Sequence, residues 1–319
     1  MQPQLAQWLP NKLPNDLFER FEQIGKSELL KEAITLNQEW LKLWPANHPN
    51  RSNILNNLGS ALRRQFEQSG QHKDLEEAIS LLQESLELSP VPYPLRSITL
   101  NNLAITLQQQ FELSGQCKDL EEAISLHQEA LDLRPVSHPD RSMTLNNLGN
   151  ALFLQFQQSG QHKDLEEAIS LHQEALDLRP APHPNRSQTL YNLALLLRTK
   201  FEQSGQSKDL EEAILLNRQA LELEPVPHPG RSSTLNSLAL SLTSQFYQSH
   251  QQKDLEEAIS LHRGAVELTP AGHPNKSVFI NNLAGVLRIC FEDSGKPRDL
   301  EEAILLEQEA KNLTLSTSI

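Results

Sequence analysis

The chain has 319 residues, 38% of them hydrophobic, and a mean hydropathy of −0.49, lean for a compact domain and suited to an elongated stack. Its 28 Lys+Arg stand against 41 Asp+Glu, and the net charge of −13 excludes a general nucleic-acid partner, which needs cations to displace phosphate counterions. There is no run of 18 apolar residues and no basic-then-apolar leader after Met1, so neither a membrane span nor a signal peptide is expected.

Written in rows of 45, the sequence repeats seven times and fills 315 of its positions. Residues 1–14 are expected to form an N-terminal capping segment, with Trp8, Trp40 and Trp44 clustered as an apolar end cap. Seven helix hairpins then follow, over approximately 15–44, 49–89, 94–134, 139–179, 184–224, 229–269 and 274–314. In each, Leu55, Leu58, Leu62 and Phe66 or their equivalents recur at helical spacing and predict an amphipathic first helix starting near Pro49. Gly70, Gly115, Gly160, Gly205 and Gly295 fit the left-handed residue that ends it, while His250 in that column implies a strained or reshaped turn. Asp74 with Glu77, and five equivalent pairs, read as an N-cap and capping box opening the second helix. Leu75, Ala78, Ile79, Leu82 and Leu86 trace its apolar face, and Pro90, Pro135, Pro180, Pro225 and Pro270 end it.

Columns that never vary serve the fold: Ala33, Ala78, Ala123, Ala168, Ala213, Ala258 and Ala303, and the phenylalanines from Phe21 to Phe291. Arg51, Arg96, Arg141, Arg186, Arg231 and Lys276 sit in the first turn of the first helix, where a cation opposes the dipole. The C-terminus of the hairpin's second helix lies beside that turn, so this column is read as a structural clamp on its carbonyls.

Catalytic chemistry finds no foothold, and the sequence predicts neither an enzyme nor a cofactor. It has no nucleophile elbow, phosphate-binding glycine loop or His-Glu-x-x-His helix. Ten of the eleven histidines fall in repeat columns, such as His48 and His138 in the loops and His127, His172 and His262 in the second helices. Equivalent positions in stacked hairpins lie roughly 10 Å apart, whereas zinc ligands converge within about 2.1 Å of one ion. Cys117 and Cys290 lie in different rows, and a reducing, cytosolic compartment is expected.

The motif Leu58-Gly59, then Ala78, Ser85 and Pro90, resembles the tetratricopeptide repeat signature, stretched from the usual period of about 34 residues. His138-Pro139-Asp140 and Thr144-Leu145-Asn146-Asn147-Leu148 are similar to the long repeats of kinesin light chain and of fungal signalling proteins, some of which carry a protease-like domain. The resemblance implies an all-α, right-handed superhelical solenoid whose first helices line a concave groove. It also implies that the asparagines matching the family's pattern hold a bound peptide by its main chain.

Two columns are nearly pure asparagine: Asn56, Asn101, Asn146, Asn236 and Asn281, and Asn57, Asn102, Asn147, Asn192 and Asn282, with Tyr191 and Ser237 as departures. Asparagine gains nothing from mid-helix, so these amides either meet a peptide backbone or bond neighbouring helices and fix the stacking. The middles of six first helices carry no Asp or Glu, only the cations Arg63, Arg64, Arg198, Lys200 and Arg288. Row-to-row variation, most apolar at Phe153 and Leu154, would carry specificity. The candidate peptide contacts are thus Asn57, Asn101, Asn102, Asn146, Asn147, Tyr191, Asn192, Asn282, Arg63, Phe153, Leu154, Arg198 and Arg288.

The expected function is a non-enzymatic scaffold that binds an extended, neutral-to-acidic segment of a protein partner. The alternatives are a sensor domain of a larger signalling protein (protease-like or nucleotide-binding) and a solenoid that self-associates through its uncapped C-terminal end at Leu305 and Leu313.

Overall fold

The computed structural model describes residues 5–316 apart from 47, 92 and 93; among them there are fourteen α-helices and no strand. They form two compact units, residues 1–159 and 160–319. The first holds α1 (Leu5–Ile24), α2 (Ser27–Leu43), α3 (Arg51–Ser69), α4 (His72–Glu87), α5 (Arg96–Ser114), α6 (Cys117–Asp132) and α7 (Arg141–Ser159). The second holds α8 (His162–Asp177), α9 (Arg186–Ser204), α10 (Ser207–Glu222), α11 (Arg231–Ser249), α12 (Gln252–Leu268), α13 (Lys276–Ser294) and α14 (Pro297–Ser316). Odd and even helices pair as hairpins within each unit: α1–α2, α3–α4 and α5–α6, then α9–α10, α11–α12 and α13–α14. Residues 1–4 of the expected capping segment and the Trp8 side chain lie outside what is described, and residues 5–14 belong to α1.

The turn inside each hairpin follows from one residue. Gly70 takes φ 68°, and its N–H donates to Phe66 O at 2.8 Å, closing α3. His250 does not reshape its turn. It holds φ 51° and donates to Phe246 O at 2.8 Å, so a β-carbon sits where glycine is preferred.

Two element starts differ from expectation. First helices begin at Arg51 and its equivalents, two residues past the proline, because the His48 N–H turns back to Pro45 O and the His48 Nδ1 accepts the Asn50 N–H. Second helices begin before the aspartate: α4 starts at His72 behind Gln71, and no side chain caps it. Asp74 is therefore inside the first turn. Its Oδ2 accepts from Gln65 Nε2 at 2.9 Å and Ser69 Oγ at 3.3 Å, tying the second helix to the first instead of capping it.

The invariant alanines mark the closest approaches. Ala78 and Ala123 in the first unit and Ala168, Ala213, Ala258 and Ala303 in the second are 0% exposed. Leu58 packs in one cluster with Ala78 and Leu82 in another with Ala123, and the burial of each leucine contributes about 1.5–3 kcal/mol. Gly59 is glycine for want of room, since a β-carbon there would lie 2.7 Å from Leu82 Cγ.

The clamp column does join cations to carbonyls, but they belong to the preceding hairpin. Arg96 Nη1 donates to Ser89 O at 3.0 Å and Leu86 O at 3.5 Å, at the end of α4, while its Nε and Nη2 reach Glu129 of its own partner helix α6. Arg51, Arg186 and Arg231 hold the ends of α2, α8 and α10 in the same way. Lys276 does so with its ammonium on Val266 O and Thr269 O. The reason is offset stacking: the N-terminus of a first helix faces the C-terminus of the helix before it in the chain, where unpaired carbonyls concentrate negative charge.

Three histidines are interior groups. His127, His172 and His262 are buried in the middle of α6, α8 and α12. Burial, and after it the Arg134 guanidinium, pushes His127 down to about 3; burial and Arg179 push His172 to about 4, and burial alone takes His262 to about 4. His127 Nε2 lies 3.3 Å from Gln108 Oε1, whereas neither ring nitrogen of His262 has a partner.

Candidate functional site

In the first unit the faces of α1, α3 and α5 enclose a cleft of about 360 Å³. Asn15, Phe18 and Glu22 of α1 form one wall, and Asn57, Arg63 and Arg64 of α3 and Asn102 of α5 form the other, with Asn37 and Asn56 also lining it. Three expected contacts, Asn57, Asn102 and Arg63, thus meet in one place. The contribution of α1 was not legible in the sequence, because that row departs from the repeat and has no asparagine pair at the ladder position.

The two asparagine columns have different roles. Asn56 and Asn101 are buried, 4% and 1% exposed, and so is Asn146; the expectation that Asn101 and Asn146 face an open groove is corrected on this point. Asn56 and Asn101 receive hydrogen bonds from the second column. Asn102 Nδ2 donates to Asn56 Oδ1 at 3.0 Å and to Ser60 Oγ at 3.1 Å, and Asn147 Nδ2 donates to Asn101 Oδ1 at 3.1 Å. In the second unit Asn282 Nδ2 donates to Asn236 Oδ1 at 2.9 Å. Asn57 Nδ2 donates to Asn15 Oδ1 at 2.7 Å, which extends the pattern to α1. Each rung is offset by one repeat, so the amides join successive first helices. Asn57, Asn102, Asn147 and Asn282 remain half-buried, whereas Asn192 is buried and its Oδ1 accepts from Gln188 Nε2.

The five cations named from the first-helix middles are ion-paired in their own units. Arg63 meets Glu67 at 2.5 Å, and Arg64 reaches Glu22 at 2.8 Å. Arg198 pairs with Glu202, Lys200 with Glu166 at 3.1 Å, and Arg288 with Glu307 at 2.6 Å. Burial lowers the Arg63 pKa, against the pull of Glu67. Burial would raise Glu67, but Arg63 and Arg64 outweigh it and hold the carboxyl below its ordinary range. The acid-free stretches of the sequence are therefore neutralised by carboxylates from the end of the same helix or from neighbouring ones.

Phe153 and Leu154 on α7 are half-buried, with Phe153 stacked 6.2 Å from Phe156. Tyr191 on α9 is half-buried, and burial raises its hydroxyl pKa. Among the described residues no three His, Cys, Asp or Glu side chains converge as a metal ion would require, and no helix is long and apolar enough to cross a membrane.

Stacked helix hairpins joined along their first helices define a repeat scaffold. The tetratricopeptide repeat family matches residues 52–89, 98–140 and 142–185. The three matched stretches are tetratricopeptide repeats. The fold is shared with BtubC (BKLC) from P. vanneervenii at 19% identity over 76% of this chain and 92% of that one, TM-score 0.54. It is also shared with the C-terminal part of a TPR repeat-containing protein from Cytophaga hutchinsonii, 14% identical over 95% and 98%, TM-score 0.54. A variant of a putative kinesin light chain with nearly identical TPR-like repeats from Podospora anserina is 19% identical over 72% and 99%, TM-score 0.50. No curated protein sequence matches the chain. The tetratricopeptide fold is typical of protein–protein interaction scaffolds.

Proposed function

We propose that the chain is a non-enzymatic scaffold that binds an extended peptide segment of a partner protein along its first-helix face. The observation carrying this reading is the half-buried row Asn57, Asn102 and Asn147 beside the α1–α3–α5 cleft. Amide groups there suit a backbone whose own polar groups need partners, and Phe153 and Leu154 supply apolar contact further along. Because Arg63, Arg64, Arg198, Lys200 and Arg288 are already paired, a neutral segment fits this face better than an acidic one.

The test uses a side chain outside the stacking bonds. Twelve-residue peptides selected on the protein from a random display library are measured by fluorescence polarisation against wild type, Leu154→Glu and, as a control on the exposed side of α6, Glu121→Lys. Binding lost only in Leu154→Glu, with helicity unchanged by circular dichroism, supports the reading. Equal binding by all three overturns it.

A second reading, self-association, rests on Ile304 and Leu305 of α14, which are 50% and 71% exposed. Mass rising with concentration in light scattering and abolished by Leu305→Glu is its expected signature. A constant monomer mass would eliminate it.

A further inference from the structure

We infer that the first unit's face accepts a segment in polyproline-II conformation, and that Asn102 and Asn147 each accept one backbone N–H from it, three residues apart. The inference rests on the peptide-binding reading above and adds the polarity and the period of recognition.

Polarity comes from the stacking bonds. A side-chain amide has two N–H donors and one carbonyl acceptor. Asn102 uses both donors inside the protein, on Asn56 Oδ1 and Ser60 Oγ, and Asn147 directs Nδ2 at Asn101 Oδ1. Asn102 has both donors engaged and Asn147 has its Nδ2 held against the preceding first helix by one bond, so the Oδ1 of each is the acceptor left for a partner. Among the described residues no donor reaches Oδ1 of Asn102 or Asn147, and neither oxygen is a buried, unpartnered atom, so both remain open to solvent. The ladder therefore presents acceptors, and what it reads is N–H.

The period comes from helix spacing. Helices α3, α5 and α7 carry successive rungs, and neighbours in this series approach within 8 Å between Cα atoms. Packed helices sit roughly 8–10 Å apart. A β-strand rises about 3.3 Å per residue and repeats its facing every second residue, so its period of about 7 Å falls short of a rung. Three strand residues span about 10 Å but present the opposite face. Polyproline II repeats every third residue with a rise of about 3.1 Å, so one turn advances about 9 Å and returns the same face. Its backbone groups are also free of internal hydrogen bonds. Proline lacks the N–H and is excluded at the two reading positions, while the two residues between them tolerate it.

The test is an N-methyl scan of a display-selected 12-residue peptide whose binding to the full chain is reduced by Leu154→Glu. Methylation removes one backbone N–H at a time. Two positions three apart are expected to lose about tenfold in affinity each, and proline at either intervening position is expected to leave binding within about twofold. Sensitive positions two apart, or no sensitive position, overturn the inference while leaving the groove reading intact. If no selected peptide responds to Leu154→Glu, both fall together.

Discussion

The side-chain amide of Asn102 bridges two helices: it donates to Asn56 Oδ1, 3.0 Å away on the preceding first helix, and to Ser60 Oγ at 3.1 Å. Asn56 is 4% exposed, so water does not readily replace the lost donor if Asn102 is truncated. Asn102→Ala is expected to cost about 1–3 kcal/mol, the penalty of an unsatisfied buried acceptor. Urea unfolding followed by circular dichroism measures it; a stability equal to wild type would mean that the amide serves only a ligand.

Arg96 joins three helices, and its two functions separate by substitution. Arg96→Ala removes the carbonyl bonds at the end of α4 and the Glu129 bond together. A loss of about 1.5–3 kcal/mol is expected from charged hydrogen bonds of this kind. Arg96→Lys should recover part of it, because Lys276 makes the two carbonyl bonds at 2.5 and 2.8 Å in its own row. Denaturant midpoints of the three proteins decide the order.

Acid should weaken the fold through its interior histidines. His262 has its folded pKa lowered to about 4 by burial, from an unfolded value of 6.5, so the unfolded chain takes up the proton first. The ring's contribution is present in full above pH 6.5 and is lost as pH falls towards 4. His262→Asn, the residue that Asn217 supplies at this position in another row, removes that titration. Between pH 7.5 and pH 5 the wild type is expected to lose about 2 kcal/mol more than the variant. Parallel pH dependences in urea unfolding would show that His262 is not buried as described.

His250 is the one non-glycine residue at positive φ among the described residues. His250→Gly relieves the β-carbon in that left-handed conformation and should raise stability by about 1 kcal/mol. The expected readout is a higher thermal midpoint; an unchanged or lower one would show that the edge contact of its ring with Phe246, 5.8 Å away, offsets the strain.

The sequence by itself determined the hairpins and their hinges. The 45-residue recurrence of Ala78, Phe66 and Gly70 is local information: a fully buried alanine, an aromatic near the helix end and a left-handed cap each constrain only their own hairpin. Tertiary structure decided which of two adjacent asparagines is buried. A helix turns 100° per residue, so Asn56 and Asn57 are close to equivalent in a sequence pattern. The offset of one first helix against the next puts Asn56 in the seam and leaves Asn57 at its rim. The same offset sent Arg96 to the carbonyls of the preceding hairpin, and it brought Glu22 against Arg64 on a face that reads as acid-free. Periodicity records which side of a helix is apolar. Partners 42 or 46 residues away are set by how rigid hairpins dock, which is a property of their shapes and not of any one row.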